Sequence, residues 1–234
     1  MNRWTGRIIA GAAAALLLAC GGQARDGARG DTGGTTRDST APAVVAPAGG
    51  SLPSIVFLGT SLTAGLGLDP DDAYPAVIQR KVDSAGLRYT VVNAGVSGES
   101  SAGALRRVDW ILRQPPAILV VETGANDGLR GQDPDSLRAN IQAIIDRVRR
   151  DSPSTKIILA GMEALPNLGA DYTRRFRAIY PALAKENRIP LIPFLLDRVA
   201  GVDSLNQQDG IHPTKRGATI VADNVWKVLR GELR

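Results

Sequence analysis

Ile55-Val56-Phe57-Leu58-Gly59-Thr60-Ser61-Leu62-Thr63 is a short apolar run that breaks into a glycine-led turn carrying a serine. From about Pro53 onward the same alternation recurs. Further apolar runs fall at Tyr89–Asn93, Ile118–Val121, Lys156–Ala160 and Pro190–Pro193, with helical patterns between them. Leu137, Ile141, Ile144, Ile145 and Val148 are spaced 4, 3, 1 and 3 apart, one face of an amphipathic helix that begins near Pro134-Asp135. A second helix runs through Ala218, Val221, Ala222, Val225 and Leu229. Short apolar strands alternating with helices predict an α/β domain.

The predicted architecture is a three-layer α/β/α sandwich on a flavodoxin-like, doubly wound sheet of five parallel strands. Ligands of such sheets lie outside the carboxyl ends of the strands, where the strand order reverses. The turns that follow the strands are therefore the places to search for chemistry. After the first strand comes the turn with Ser61, which can stand at the head of the sheet with its backbone N–H facing the crevice. Asn93-Ala94-Gly95-Val96-Ser97-Gly98 follows the second strand and Glu122-Thr123-Gly124-Ala125-Asn126-Asp127 the third. Asp209-Gly210-Ile211-His212-Pro213 precedes the final helix and holds the only histidine of the chain, three residues from a carboxylate.

These are the parts of an acyl-transfer site. A serine hydroxyl is a poor nucleophile until a base takes its proton, and imidazole, with an unperturbed pKa near 6.5, does this at neutral pH. Asp209 can accept the hydrogen bond of the other ring nitrogen, setting the tautomer of His212 while Ser61 attacks. Charge building on a carbonyl oxygen would meet the backbone N–H groups of Ser61 and Gly98 and the side-chain amide of Asn126. Taken singly, the same residues have plainer readings. Ser61 suits a helix N-cap, Asn126 and Asp127 suit a turn, and Asp209 suits a cap on the last helix. Arg130, Arg174 and Arg175 read as solvated charges in preference to phosphate ligands. No Gly-x-x-x-x-Gly-Lys-Ser/Thr phosphate loop and no Gly-x-Ser-x-Gly elbow occurs.

In this order the blocks resemble the SGNH, or GDSL, hydrolase superfamily, from Ile55 to the carboxyl terminus. Within it they are similar to the branch of multifunctional bacterial esterases typified by acyl-CoA thioesterase I, lysophospholipase L1 and arylesterase. The shared stretches are Gly59-x-Ser61-Leu62-Thr63-Ala64-Gly65, Val92-Asn93-Ala94-x-x-Ser97-Gly98, Gly124-x-Asn126-Asp127-Gly128-Leu129-Arg130-Gly131, Ala178-Ile179-Tyr180-Pro181-x-Leu183-Ala184-Lys185-Glu186 and Asp209-Gly210-Ile211-His212-Pro213. The resemblance implies Ser61 as nucleophile, Asp209 and His212 as the rest of a triad, and Ser61, Gly98 and Asn126 as the oxyanion hole. It further implies a carboxylic ester hydrolase without cofactor, acting on short- to medium-chain acyl esters, aryl esters, thioesters or lysophospholipids. Leu129, Leu165 and Leu168 are candidates to line the acyl site, or plain loop packing. Other branches of the superfamily remove acetyl groups from carbohydrate or cell-wall polymers, and a non-catalytic lipoprotein that binds acylated ligands is a third reading. The chain departs from the pattern at two positions. Thr60 stands where the family usually has Asp, which predicts a less firmly held Ser61 and reduced activity, and Ala125 replaces a common Gly.

Upstream of the domain the composition changes. Arg3 and Arg7 precede an apolar stretch from Ile8 to Ala19, roughly a dozen residues where a spanning helix needs about 20. It reads as the apolar segment of an export signal. The stretch ends Leu17-Leu18-Ala19-Cys20, which resembles the lipobox of bacterial lipoproteins, and Cys20 is the only cysteine of the chain. Residues 1–19 are thus expected to be a lipoprotein signal peptide, 20–52 a lipidated Cys20 with a flexible linker, and 53–234 the hydrolase domain. Acyl chains at about 0.8 kcal/mol per buried CH₂ would hold the protein on a membrane, and a linker of about 30 residues spans nearer 30 Å as a coil. The expected location is the cell envelope, on the periplasmic side of the outer membrane in a cell with two membranes.

Composition excludes other classes. The 234 residues fit one domain at about 100–200 residues each. With one cysteine no internal disulfide forms, and with one histidine a zinc site would need Asp and Glu almost alone. The net charge of +5 falls to +3 without Arg3 and Arg7, and no run of five like charges occurs, so no nucleic-acid footprint is present.

Overall fold

A computed structural model of the protein describes residues 51–233. The expected signal peptide, Cys20 and nearly all of the expected linker lie outside the described residues. Five parallel strands form one sheet in the order β2-β1-β3-β4-β5: β1 (Ser54–Gly59), β2 (Thr90–Gly95), β3 (Ile118–Glu122), β4 (Lys156–Ala160) and β5 (Leu191–Ile192). This is the doubly wound order the sequence predicts. The direction of winding reverses between β1 and β3, so their carboxyl ends frame the crevice.

The helices are α1 (Ser61–Ala64), α2 (Tyr74–Ser84), α3 (Ser101–Ile111), α4 (Ala125–Leu129), α5 (Pro134–Asp151), α6 (Ala170–Asn187) and α7 (Lys215–Leu229). Helices α2 and α7 pack together on one face, and α3, α5 and α6 pack in series on the other. Because both faces are covered, β3 is buried along its whole length, and it reads as a continuous apolar run instead of an alternating one. Edge strand β2 is largely open, with Val92 exposed. β5 is shorter than its apolar run because Pro190 and Pro193 have no N–H to place in a ladder.

Helix starts follow local chemistry. Asp133 caps α5 by accepting from the N–H groups of Asp135 and Ser136, and Pro134 occupies the first helical position. Thr214 caps α7 through the N–H of Gly217 at 3.3 Å. The last helix is therefore capped by Thr214, and Asp209 is free for another partner. Between α1 and α2, Tyr74 packs edge-on against Phe57 of β1 at a ring separation of 5.5 Å, worth about 0.5–1.5 kcal/mol beyond burial. That contact carries the start of α2 to the base of the crevice.

Candidate active site

β1 ends at Gly59 and the chain turns directly into α1, with Thr60 as its cap: Thr60 Oγ1 accepts from the Leu62 N–H at 3.4 Å. Ser61 is the first helical residue and not the cap that serine alone suggests. The position has a chemical consequence, since the first N–H groups of a helix have no partner within it. The Ser61 amide is left for an incoming oxygen.

Glu122, the last residue of β3, lies under this turn with no exposure to solvent. Its carboxylate accepts from the Thr60 N–H at 2.7 Å, from the Thr60 hydroxyl at 3.0 Å to each oxygen, and from the Thr63 hydroxyl at 2.9 Å. Thr63 gives its hydroxyl hydrogen to Glu122 and so accepts from Tyr74 OH, 2.7 Å away. Burial pushes the Glu122 carboxyl above its ordinary value, against the pull of the Thr60 and Thr63 hydrogen bonds. Thr60 lacks a charge of its own, but its N–H and hydroxyl both bind a buried carboxylate. The turn that carries Ser61 is thereby held more firmly than Thr60 by itself predicts.

The histidine arrives from the opposite side. In the loop before α7, Asp209 Oδ1 accepts from the N–H groups of Ile211 and His212, both at 3.0 Å. Asp209 Oδ2 lies 2.6 Å from His212 Nδ1, and His212 Nε2 lies 2.9 Å from Ser61 Oγ. The loop is pinned by Gln207, whose N–H donates to the His212 carbonyl at 2.7 Å and whose side-chain amide donates to the Leu66 carbonyl at 2.7 Å. The backbone N–H of His212, its ring and the Ile211 N–H together hold the Asp209 carboxyl down to about 2, so the group facing the imidazole is an anion at every pH near neutrality.

Two further groups complete the crevice. Gly98 has φ +78°, in the left-handed region that favours glycine, and its carbonyl accepts from Arg130 Nη2 at 2.9 Å. Arg130 therefore has a specific backbone partner, whereas Arg174 pairs with Asp171, and Arg175 with Asp135, as surface charges. Asn126 lies on the short helix α4 and donates one amide hydrogen to the Glu99 carbonyl at 3.0 Å, which leaves its second for a ligand. Ser61, Gly98, Asn126 and His212 line one cleft of about 580 Å³. Its apolar wall includes the candidates Leu129 and Leu165 together with Leu66, Met162, Phe194 and Leu196. Leu168 is not part of this lining. It ends the 3₁₀ turn Pro166–Leu168, whose first residue lines the cleft, and lies beside Gly131. Among the described residues, no group of three or more His, Cys, Asp and Glu side chains is placed to hold a metal ion.

Thr63, Tyr74 and Glu122 have no role in the sequence reading, nor do the cleft residues Met162, Phe194 and Leu196. For Glu122 a signal exists: it is the one charged residue in a strand buried along its whole length. A carboxylate in that setting must find donors.

The arrangement can activate a hydroxyl and stabilise an oxyanion beside an apolar wall. The chain matches the family model described as GDSL-like Lipase/Acylhydrolase over residues 57–220. It is 37% identical over 178 residues to Esterase TesA of Pseudomonas aeruginosa, covering 76% of this chain and 88% of that protein. To the Thioesterase 1/protease 1/lysophospholipase L1 of Escherichia coli K12 it is 35% identical over 178 residues, covering 76% of this chain and 83% of that one. A crystal structure of TesA superimposes with a TM-score of 0.73 at 37% identity, covering 77% of this chain and 99% of the other.

Proposed function

The chain belongs to the GDSL-like lipase/acylhydrolase family and is a serine ester hydrolase, and we propose that Ser61, His212 and Asp209 are its triad and that it cleaves acyl esters and thioesters of apolar chains. The observation that carries the assignment is the continuous relay Asp209 Oδ2, His212 Nδ1, His212 Nε2, Ser61 Oγ, at 2.6 and 2.9 Å. Ser61 Oγ attacks the substrate carbonyl carbon while His212 Nε2 takes its proton. The carbonyl oxygen, now negative, is met by the Ser61 and Gly98 N–H groups and the Asn126 amide. His212 returns the proton to the departing alcohol or thiol, leaving an acyl-Ser61 ester. A water then repeats the sequence, giving its proton to His212 and releasing the acid. Each oxyanion donor is worth about 10²–10³ in rate.

The apolar wall of the cleft supports acyl chains over acetyl groups alone, and relatives named as esterase, thioesterase and lysophospholipase agree with that preference. A panel of p-nitrophenyl and thiol esters of graded chain length tests it. If methylenes enter the wall, each is worth about 0.8 kcal/mol, so kcat/KM is expected to rise about fourfold per added CH₂ until the cleft is full. Turnover confined to acetyl esters would instead favour a deacetylase.

The reading includes an exported lipoprotein tethered by Cys20, supported by Leu17-Leu18-Ala19-Cys20 and by the polar composition of residues 21–51. Expression of the full chain in a bacterium that makes lipoproteins should yield protein that partitions into detergent and carries an acylated amino-terminal cysteine by mass spectrometry. Cys20→Ser should remain in the aqueous phase. Equal partitioning of the two would refute the anchor.

A further inference from the structure

Arg107 lies past the middle of α3, outside the triad and the cleft wall, and its guanidinium donates through both Nε and Nη2. Its Nε donates to both carboxylate oxygens of Glu99, at 2.7 and 2.9 Å. Its Nη2 donates to the Gly59 carbonyl at 3.1 Å and the Ala94 carbonyl at 2.7 Å. Both side chains are mostly withdrawn from water, with 20% of Arg107 and 9% of Glu99 exposed. The Gly59 and Glu99 contacts lead to the oxyanion donors, while the Ala94 carbonyl ties the guanidinium to the end of β2. Gly59 ends β1 and is separated from Ser61 only by Thr60. Glu99 follows Gly98 directly. The Glu99 carbonyl accepts from the Asn126 side chain at 3.0 Å. The ion pair thus touches the segments that carry Ser61 and Gly98, and Asn126 joins them through the Glu99 backbone carbonyl.

From this convergence we infer that Arg107 and Glu99 are positioning residues that hold the Ser61 N–H, the Gly98 N–H and the Asn126 amide in mutual register for the oxyanion. The inference rests on the reading of those three groups as donors and goes further, by naming what aligns them. A second, steric observation supports it. Gly103 stands in the first turn of α3, and a Cβ there would stand 2.6 Å from Glu99 Cγ. The helix leaves room for Glu99 to lie across it toward Arg107. The fork of arginine is required as well as its charge. A lysine is a point donor and cannot reach a carboxylate and two carbonyls in one plane.

The discriminating variants are Arg107→Lys, which keeps the charge, and Glu99→Gln, which keeps the shape. Both are made in the full chain and compared with wild type. Oxyanion alignment is read with a trifluoromethyl ketone: Ser61 Oγ bonds to the ketone carbon, the serine proton passes to His212, and the former carbonyl oxygen becomes an oxyanion. A displaced donor costs less than a deleted one but up to about 10² for a shift near 1 Å. Both variants should therefore lose about 10–10²-fold in kcat with KM within twofold, and bind the ketone more weakly by the same factor. Combined, they should lose little more than the worse single variant, since they break one device. Melting curves identify the folded fraction, on which the ketone affinity is measured. Ketone affinity and kcat equal to wild type in the folded variants would overturn the inference, as would a fall in activity that follows loss of folded protein alone. Failure of wild type itself to bind the ketone would overturn the underlying site assignment, a separate outcome.

Discussion

Ser61→Ala is expected to lower kcat by about 10⁶, His212→Ala by nearly as much, and the double variant by no more than either. The reason is the shared proton. Ser61 Oγ and His212 Nε2 are 2.9 Å apart, and each is without effect once the other is gone: an imidazole has no hydroxyl to activate, and a hydroxyl with no base retains the low nucleophilicity of an alcohol. Additive losses would require two independent contributions, which a single relay does not provide. Activity should not fall to the uncatalysed rate. The Gly98 N–H and Asn126 amide remain in place, and such groups together with substrate binding sustain about 10³–10⁴ over water in comparable sites. The variants should fold normally, since neither side chain belongs to the apolar core. Steady-state hydrolysis of a p-nitrophenyl ester, with labelling by a fluorophosphonate, checks both points. Wild type should label at Ser61 and Ser61→Ala should not. A His212→Ala variant retaining even a hundredth of the wild-type rate would mean that another group acts as base.

The parts of this site differ in how far they could be read from sequence, and the difference follows contact range. Asp209 and His212 are three residues apart in a turn constrained by Gly210 and Pro213, so their pairing is local and legible. The central strands are legible too, because burial on both faces makes β1, β3 and β4 largely apolar runs; Lys156–Ala160 has the same limits in the sequence and in the fold. The β3 strand runs one residue past its apolar run, to Glu122, because that carboxylate finds its donors on Thr60 and Thr63, 62 and 59 residues away. Only the adjacency of β1 and β3 brings them together. Arg107 is hidden for the same reason: its partners lie on β1, β2 and the loop after β2. Helices α2, α3 and α6 are absent from the sequence reading. In α6 the interior Pro181 argues against a helix, and the buried set Phe176, Ile179, Tyr180 and Leu183 outweighs it. The two turns read at Ser61 and Asn126 are in fact short helices, too brief for periodicity to reveal.

Asp209→Asn should cost about 10⁴ in kcat with KM little changed, although it removes no atom of the backbone scaffold and keeps the shape of the side chain. Asp209 uses its two oxygens differently. Oδ1 accepts from the backbone N–H groups of Ile211 and His212, and Oδ2 faces His212 Nδ1 at 2.6 Å. An asparagine must keep its one carbonyl oxygen toward those two fixed donors, which places its NH₂ against Nδ1. Nδ1 then has to accept, so the ring proton moves to Nε2, and a protonated Nε2 cannot take the hydrogen of Ser61. The loss arises from the tautomer and not from displacement, so fluorophosphonate labelling of Ser61 should slow in parallel with kcat while the melting temperature stays close to wild type at neutral pH. Acid separates the two proteins in a second way. The Asp209 carboxyl is held at about 2 in the fold against an ordinary 3.8, so its ionised form stabilises the native state above about pH 3.8, and that contribution disappears as the pH falls toward 2. The asparagine variant has no such group to titrate. Any stability advantage of wild type from this position should therefore be constant near neutrality and vanish between those two values, as read from urea titrations at stepped pH. A variant with a tenth or more of wild-type activity would show that the imidazole is oriented by something other than Asp209.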